Sequence, residues 1–354
     1  MRADDGVMSL DFLAGFTIFL LALIMVVSMV PGLLAGLGSS SIDYDAVAYR
    51  TGVILVEDPG WPVYPPWEMK TGAYKDEIER MGLAASKETP NILLSTKVDA
   101  FFNGTFFASE DYRSKAIFGD IPYSYNFSLR SEDGTYNNAT GDPLPPGYGY
   151  GYIRRAVKIK EPGVANIDDR FASQYAIPNP GAPEWNSTVR NFTVQLNFSK
   201  LLDPERDPAY RIDPRTEPVR VNIDFTQYCT DSSGATLQNV TFWKKDPTRP
   251  NARFTRIPFS YDEENADLYT LHTDGVPRSL APGAPVKSSI SLVLKPAATS
   301  IFTLDQNSIL EVRFNFEDDD YPHTNITGIH HYDYNTTNVT CPPLKPAVLE
   351  VAIW

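Results

Sequence analysis

The sequence predicts an α+β fold: a long N-terminal hydrophobic helix followed by a mainly antiparallel β-sandwich head, immunoglobulin-like or jelly-roll in topology. Three observations predict it. Nineteen consecutive residues, Phe12 to Val30, carry no charge. Beyond residue 103 apolar and polar residues alternate with period two in stretches separated by Pro- and Gly-rich loops. Two cysteines and a dense set of Asn-x-Ser/Thr sequons accompany those stretches.

The first element, FLAGFTIFLLALIMVVSMV, spans about 28 Å as a helix, close to the hydrocarbon thickness of a bilayer. A secretory signal has a shorter apolar core behind a basic start, whereas this chain begins MRADDG. An ordinary signal peptide and a plain N-terminal anchor stand as alternatives. Pro31-Gly32 ends or kinks the helix, and Gly38–Ser41 is polar. Helical spacing then resumes, with Ile42, Ala46, Tyr49, Val53 and Val56 on one stripe, until Asp58-Pro59-Gly60 stops it.

Asp11 sits at the lip of the apolar run. A carboxylate at a membrane helix centre costs about 2.5–3.5 kcal/mol, less near the end, and it needs a partner. In the bland reading Asp11 only complements the helix dipole. The stretch Gly6-Val7-Met8-Ser9-Leu10-Asp11-Phe12 resembles the class III signal of type IV pilins and archaeal pilin-like proteins. Asp stands where the bacterial residue is commonly Glu. The resemblance implies a leader, residues 1–6, removed by a prepilin peptidase between Gly6 and Val7. It also implies that Asp11, then fifth in the chain, pairs with the new amine of a neighbouring subunit and registers the assembling helix. The segments IERMGLA at 78–84 and PNILLSTKVDAFF at 90–102 are similar to stretches of archaeal pilin-like proteins. The expected organisation is leader 1–6, assembly helix 7–58 with an amphipathic second half, connector 59–102 and exposed β domain 103–354. In the connector, Trp61, Pro62, Pro65, Pro66 and Trp67 make a stiff aromatic loop, and Ser95 is placed to cap a short helix through Phe102.

The β domain is read from alternation. Phe192, Val194, Leu196 and Phe198 face one side of a strand, with Asn191, Thr193, Gln195 and Asn197 on the other. The same rule gives strands through Val219–Phe225, Ile290–Leu294, Leu310–Phe316 and Leu349–Ile353. Sequons begin at Asn103, Asn126, Asn138, Asn186, Asn191, Asn197, Asn239, Asn325, Asn335 and Asn338, ten of nineteen asparagines. Chance gives about three at this Ser/Thr content, so the excess suggests a glycosylated extracellular domain. A polar, turn-rich β protein is the competing reading. In an oxidising compartment Cys229 and Cys341 can close one long disulfide loop, worth roughly 4–5 kcal/mol in the chain-entropy model; two unrelated buried thiols are the alternative.

Net charge −13 and a pI near 4.8 exclude nucleic acid as the natural partner and disfavour anionic lipid. No HExxH, GxSxG, P-loop or dinucleotide pattern appears. GYGYGY at 147–152 lacks a Lys or Ser/Thr tail for phosphate and reads as an aromatic loop or strand entry. His323, His330 and His331 follow Glu317-Asp318-Asp319-Asp320, a set that can hold a cation, but the spacing matches no EF-hand and a solvated acidic loop is the preferred reading. No catalytic residue, metal or cofactor is assigned. The expected partners are the membrane, other pilin-like subunits through the N-terminal helix, and the prepilin peptidase. The expected role is a structural cell-surface subunit. The alternatives are an anchored envelope glycoprotein that binds a glycan or protein without polymerising and, third, a secreted glycoside hydrolase.

Overall fold

The computed structural model describes residues 10–38, 43–70, 72–119, 121–147, 149–167, 189–226, 235–249, 251–258, 266–317, 328–332, 339–340 and 343–354. The protein is α+β, with one N-terminal apolar helix and three mainly antiparallel sheets.

Helix α1, Leu10–Gly38, contains the uncharged run, and every residue from Phe12 to Val30 is exposed. Its two hydroxyls are satisfied within the helix: Thr17 Oγ1 donates to the Leu13 carbonyl (2.7 Å) and Ser28 Oγ to that of Met25 (2.8 Å). Helix α2, Tyr44–Glu57, begins where the Asp43 carboxylate accepts from the Ala46 amide (3.1 Å). Its buried face differs from the expected stripe. Ala48, Thr51, Gly52, Leu55 and Val56 are buried, whereas Ala46 and Tyr49 point outward. The reason is close packing: a Cβ on Gly52 would lie 3.0 Å from Ile153 Cγ2, so small residues, not the largest apolar ones, mark the contact.

The first sheet has strand order β1 (Ile92–Leu94), β4 (Gly151–Lys160), β17 (Lys345–Ile353), β2 (Tyr125–Ser131), β3 (Asn137–Gly141). The last strand of the chain is therefore central, antiparallel to both β4 and β2, while β1 runs parallel to β4. Helix α2 packs over β4 and β17. Residues 59–102 contribute Trp67, Ile78, Met81, Leu83, Val98 and Phe101 to this first core. Helix α3 is Ser95–Phe101, but Ser95 is its first residue; Leu94 occupies the cap position and offers no side-chain hydrogen bond.

The second sheet runs β11 (Val276–Arg278), β10 (Tyr269–Thr273), β13 (Ser289–Leu294), β7 (Val219–Asp224), β5 (Val164–Ile167), β16 (Val339–Thr340). The third runs β12 (Ala284–Val286), β8 (Ala235–Lys245), β14 (Ile309–Glu317), β6 (Val189–Asn197), β15 (Gly328–Tyr332), with a sixth strand, β9 (Thr255–Arg256), paired to β8. Alternation places Val219, Val221, Ile223, Ile290 and Leu292 of the second sheet in one buried cluster with Phe192, Val194, Leu310, Val312, Phe314 and Phe242 of the third. The strands read from Val219, Ile290, Leu310 and Leu349 are all present with their apolar residues inward. Phe198 is the exception in form: it is buried, but it opens a short helix, α4 (Phe198–Leu201).

Candidate functional site

Asp11 lies in the first turn of α1. Gly6 and Val7, the expected processing junction, lie outside the described residues, as do Cys229 and Cys341. By length and composition α1 is a helix able to cross a membrane, over Phe12–Val30.

A cleft of about 430 Å³ opens where the first core meets the distal sheets, within the size range of small-ligand sites. One wall is the 59–92 stretch, with Pro59, Tyr64 and Glu88; the other is the 202–217 loop, with Leu202, Arg211, Asp213 and Arg215. Its floor is an ion pair. Lys160, the last residue of β4, donates to both carboxylate oxygens of Glu217 at 2.7 Å and to the Arg211 carbonyl at 2.6 Å. Only 3% and 5% of the two side chains are exposed. Glu217 also accepts from the Asp213 amide (3.0 Å). Burial raises the pKa of Glu217, and the Lys160 charge opposes that rise.

Above the floor, Arg215 forks onto Asp213, Nε and Nη2 each 2.8 Å from a carboxylate oxygen. Its guanidinium lies 4.5 Å from the Tyr64 ring centre, and the Tyr64 hydroxyl donates to Asp213 (3.3 Å). Burial, then the Asp213 charge, raises the Tyr64 phenol pKa. Arg211 reaches Glu88 across the mouth at 3.4 Å. The carboxylates of Glu88, Asp213 and Glu217 are thus each engaged by a cation, and the Arg211–Glu88 pair and the Tyr64 contacts to Asp213 and Arg215 join the two walls.

Below Pro59 lies a second ionisable pair. Lys97, 1% exposed, donates to the carbonyls of Pro59 (2.8 Å) and Ala84 (2.9 Å). Burial lowers its pKa. The carboxylate oxygens of Glu68 are buried. Burial pushes the Glu68 carboxyl up to about 7, with the Lys97 charge restraining it. The sequence carried no signal for either pair except the charged run Asp213-Pro214-Arg215-Thr216-Glu217.

The six described sequons fall in distinct settings. Asn103 is exposed in a turn where its Oδ1 accepts from the Thr105 amide (3.2 Å) and hydroxyl (2.7 Å). Asn126 donates its Nδ2 to the Asp142 carbonyl (2.8 Å). Asn138 is half-buried on β3. Asn197 caps α4, accepting from the Lys200 amide (3.4 Å), and also accepts from Ser199 Oγ (2.8 Å). Asn191 and Asn239 flank Asn315 on the outer face of the third sheet, beside a hollow of about 230 Å³ that includes Trp243, Arg256 and Arg313. Asn186, Asn325, Asn335 and Asn338 lie outside the described residues. So do His323 and Asp318–Asp320, while His330 and His331 lie in β15. Among the described residues no cluster of three His, Cys, Asp or Glu side chains is placed to hold a metal.

A family of unknown function (DUF7287) matches residues 3–61, which include α1 and α2. An uncharacterized protein of Archaeoglobus fulgidus is 42% identical over 154 residues, covering 40% of this chain and 78% of that protein. No solved structure matches the chain.

Proposed function

The chain belongs to the family of that Archaeoglobus fulgidus protein, and we propose that it is a type IV pilin-like subunit of the cell surface, a minor or tip subunit in view of its large head. The observation that carries this reading is the pairing of an apolar helix exposed over Phe12–Val30, with Asp11 in its first turn, to a second helix packed on the head. The exposed helix offers a surface first to lipid and then to neighbouring helices. Asp11 supplies the charge that a freshly made Val7 amine would meet. The two six-stranded sheets over one core support a sandwich head, and the six described sequons, none of them fully buried, fit an extracellular placement.

N-terminal mass analysis of the purified protein tests the reading. A mature chain beginning at Val7 supports it; an intact Met1, or a start near Ser39, sinks it. Asp11→Ala is expected to leave membrane insertion intact and lower incorporation into filaments, and unchanged assembly would refute the register role. The cleft favours a second reading, an anchored surface glycoprotein whose head holds a ligand without polymerising.

A further inference from the structure

The strand ends of the first sheet gather an aromatic cluster at the end where α2 begins. Ile353 pairs with both Tyr125 and Gly151, and the amides of Ser124 and Trp354 donate to each other's carbonyls (2.8 and 3.0 Å). Gly151 lies against the Tyr44 carbonyl so closely that a Cβ would sit 2.0 Å from the oxygen. The rings of Tyr44 and Tyr123 are 6.4 Å apart, those of Tyr150 and Trp354 likewise 6.4 Å. Around them Ile121, Leu144 and Tyr152 are exposed at 40%, 48% and 43%.

This end is also the one tethered to α1. Five residues separate Gly38 from Tyr44, so the covalent chain holds them within about 20 Å. Helix α2 and β4 then lead away toward the distal sheets. A surface of Tyr and Trp with scattered aliphatic side chains, next to an apolar helix of spanning length, has the composition of the membrane–water interface. The exposed charges beside it are Asp43, Asp45 and Asp142, and the exposed Arg154 next to Tyr152 is paired with Glu350 (3.3 Å), so the end offers no net positive charge to anionic headgroups.

We propose that this aromatic end, including Tyr150 and Tyr152 of the GYGYGY run, rests on the lipid headgroup layer while α1 spans the bilayer. The inference rests on the membrane reading of α1 and assigns it an orientation: the head stands on the bilayer by this end and directs the distal sheets outward.

The test uses the full chain in phosphatidylcholine vesicles, at one copy per vesicle, with a headgroup nitroxide lipid as quencher of tryptophan emission. Flotation with the vesicles scores the anchor separately. The expected result is that Trp354→Phe removes more than half of the quenchable emission, whereas Trp243→Phe removes little. Leu144→Glu with Tyr152→Glu should lower Trp354 quenching at least twofold while flotation and circular dichroism stay unchanged. Adding anionic lipid should not increase it. A floating chain whose quenching is the same with and without Trp354 overturns the proposal and spares the anchor. A chain that does not float overturns both. Burial of Trp354 only when two copies share a vesicle assigns the surface to a second copy instead.

Discussion

Replacing Glu217 by alanine strands the Lys160 ammonium in a buried site. Of the three acceptors that Lys160 reaches, two are the Glu217 oxygens, and only the Arg211 carbonyl would remain. At 2.7 Å the gross attraction is about 6 kcal/mol with an effective dielectric near 20. Desolvation of both ions consumes much of that, and the pair is worth little relative to an apolar replacement. Removing one partner is different, because the other ion keeps its desolvation cost; buried pairs broken this way lose about 3–5 kcal/mol. For a chain of this size roughly 2 °C follows each kcal/mol, so the melting temperature should fall by about 6–10 °C. Calorimetry of the full chain in detergent reads this. Because the protein has two cores, hydrogen exchange across β4 and β5 should show where the loss falls. The double replacement Lys160→Met with Glu217→Leu should recover most of it. A Glu217→Ala protein melting within 1 °C of wild type, or a double variant no better than the single, would refute the argument.

Other tests follow from the same geometry. Between about pH 4.5 and 7 the folded chain holds a proton on Glu68 that the unfolded chain has lost, so stability is full below that window and falls as pH rises through it. The loss is about 3 kcal/mol, and Glu68→Gln should flatten the profile of melting temperature against pH; a parallel profile would contradict the buried carboxyl. Gly151→Ala must push the Tyr44 backbone away and should cost roughly 1–3 kcal/mol in urea unfolding, while Gly149→Ala, with open space around it, should be near neutral. Equal midpoints for the two variants would dispose of the close contact. Asn103→Gln should remove one glycan from the intact mass and Asn126→Gln none, because the Asn126 nitrogen is already donated to Asp142; the reverse pattern defeats this assignment.

Legibility followed the range of the interactions. The α1 span and the strands through Phe192, Val221, Leu292 and Val312 were readable because burial of one face imposes a period on neighbouring residues. The buried face of α2 was misread because its contact is made by Thr51 and Gly52, chosen for smallness, and Tyr49 only looks like a core residue. Ser95 has the chemistry of a cap but lies one residue inside the helix. The cleft was invisible because Lys160 and Glu217 are 57 residues apart, and each alone reads as an ordinary surface charge. Nor does any local pattern state that β17 pairs between β4 and β2.

That last pairing sets the mechanical logic of the head. With β17 central, the first core is complete only when residues 345–353 join strands made from residues 125–160. The distal sheets are therefore an insertion between two adjacent strands, entering after Lys160 and returning at Lys345. These crossings lie side by side, since Lys345 pairs with Ile159, and the Lys345–Glu161 contact (2.5 Å) ties them. The Lys160–Glu217 pair sits at the same crossing and reaches into the distal unit. Two covalent links reinforced by ion pairs resist bending better than one linker, because rotation about either strand strains the other. Pull on the distal sheets would then load β4 and β17 together. Both are covered by α2, which begins within about 20 Å of the end of the apolar helix. On the function proposed above, a subunit anchored at one end and engaged at the other needs such a path, and it runs through the strands on which the helix is packed.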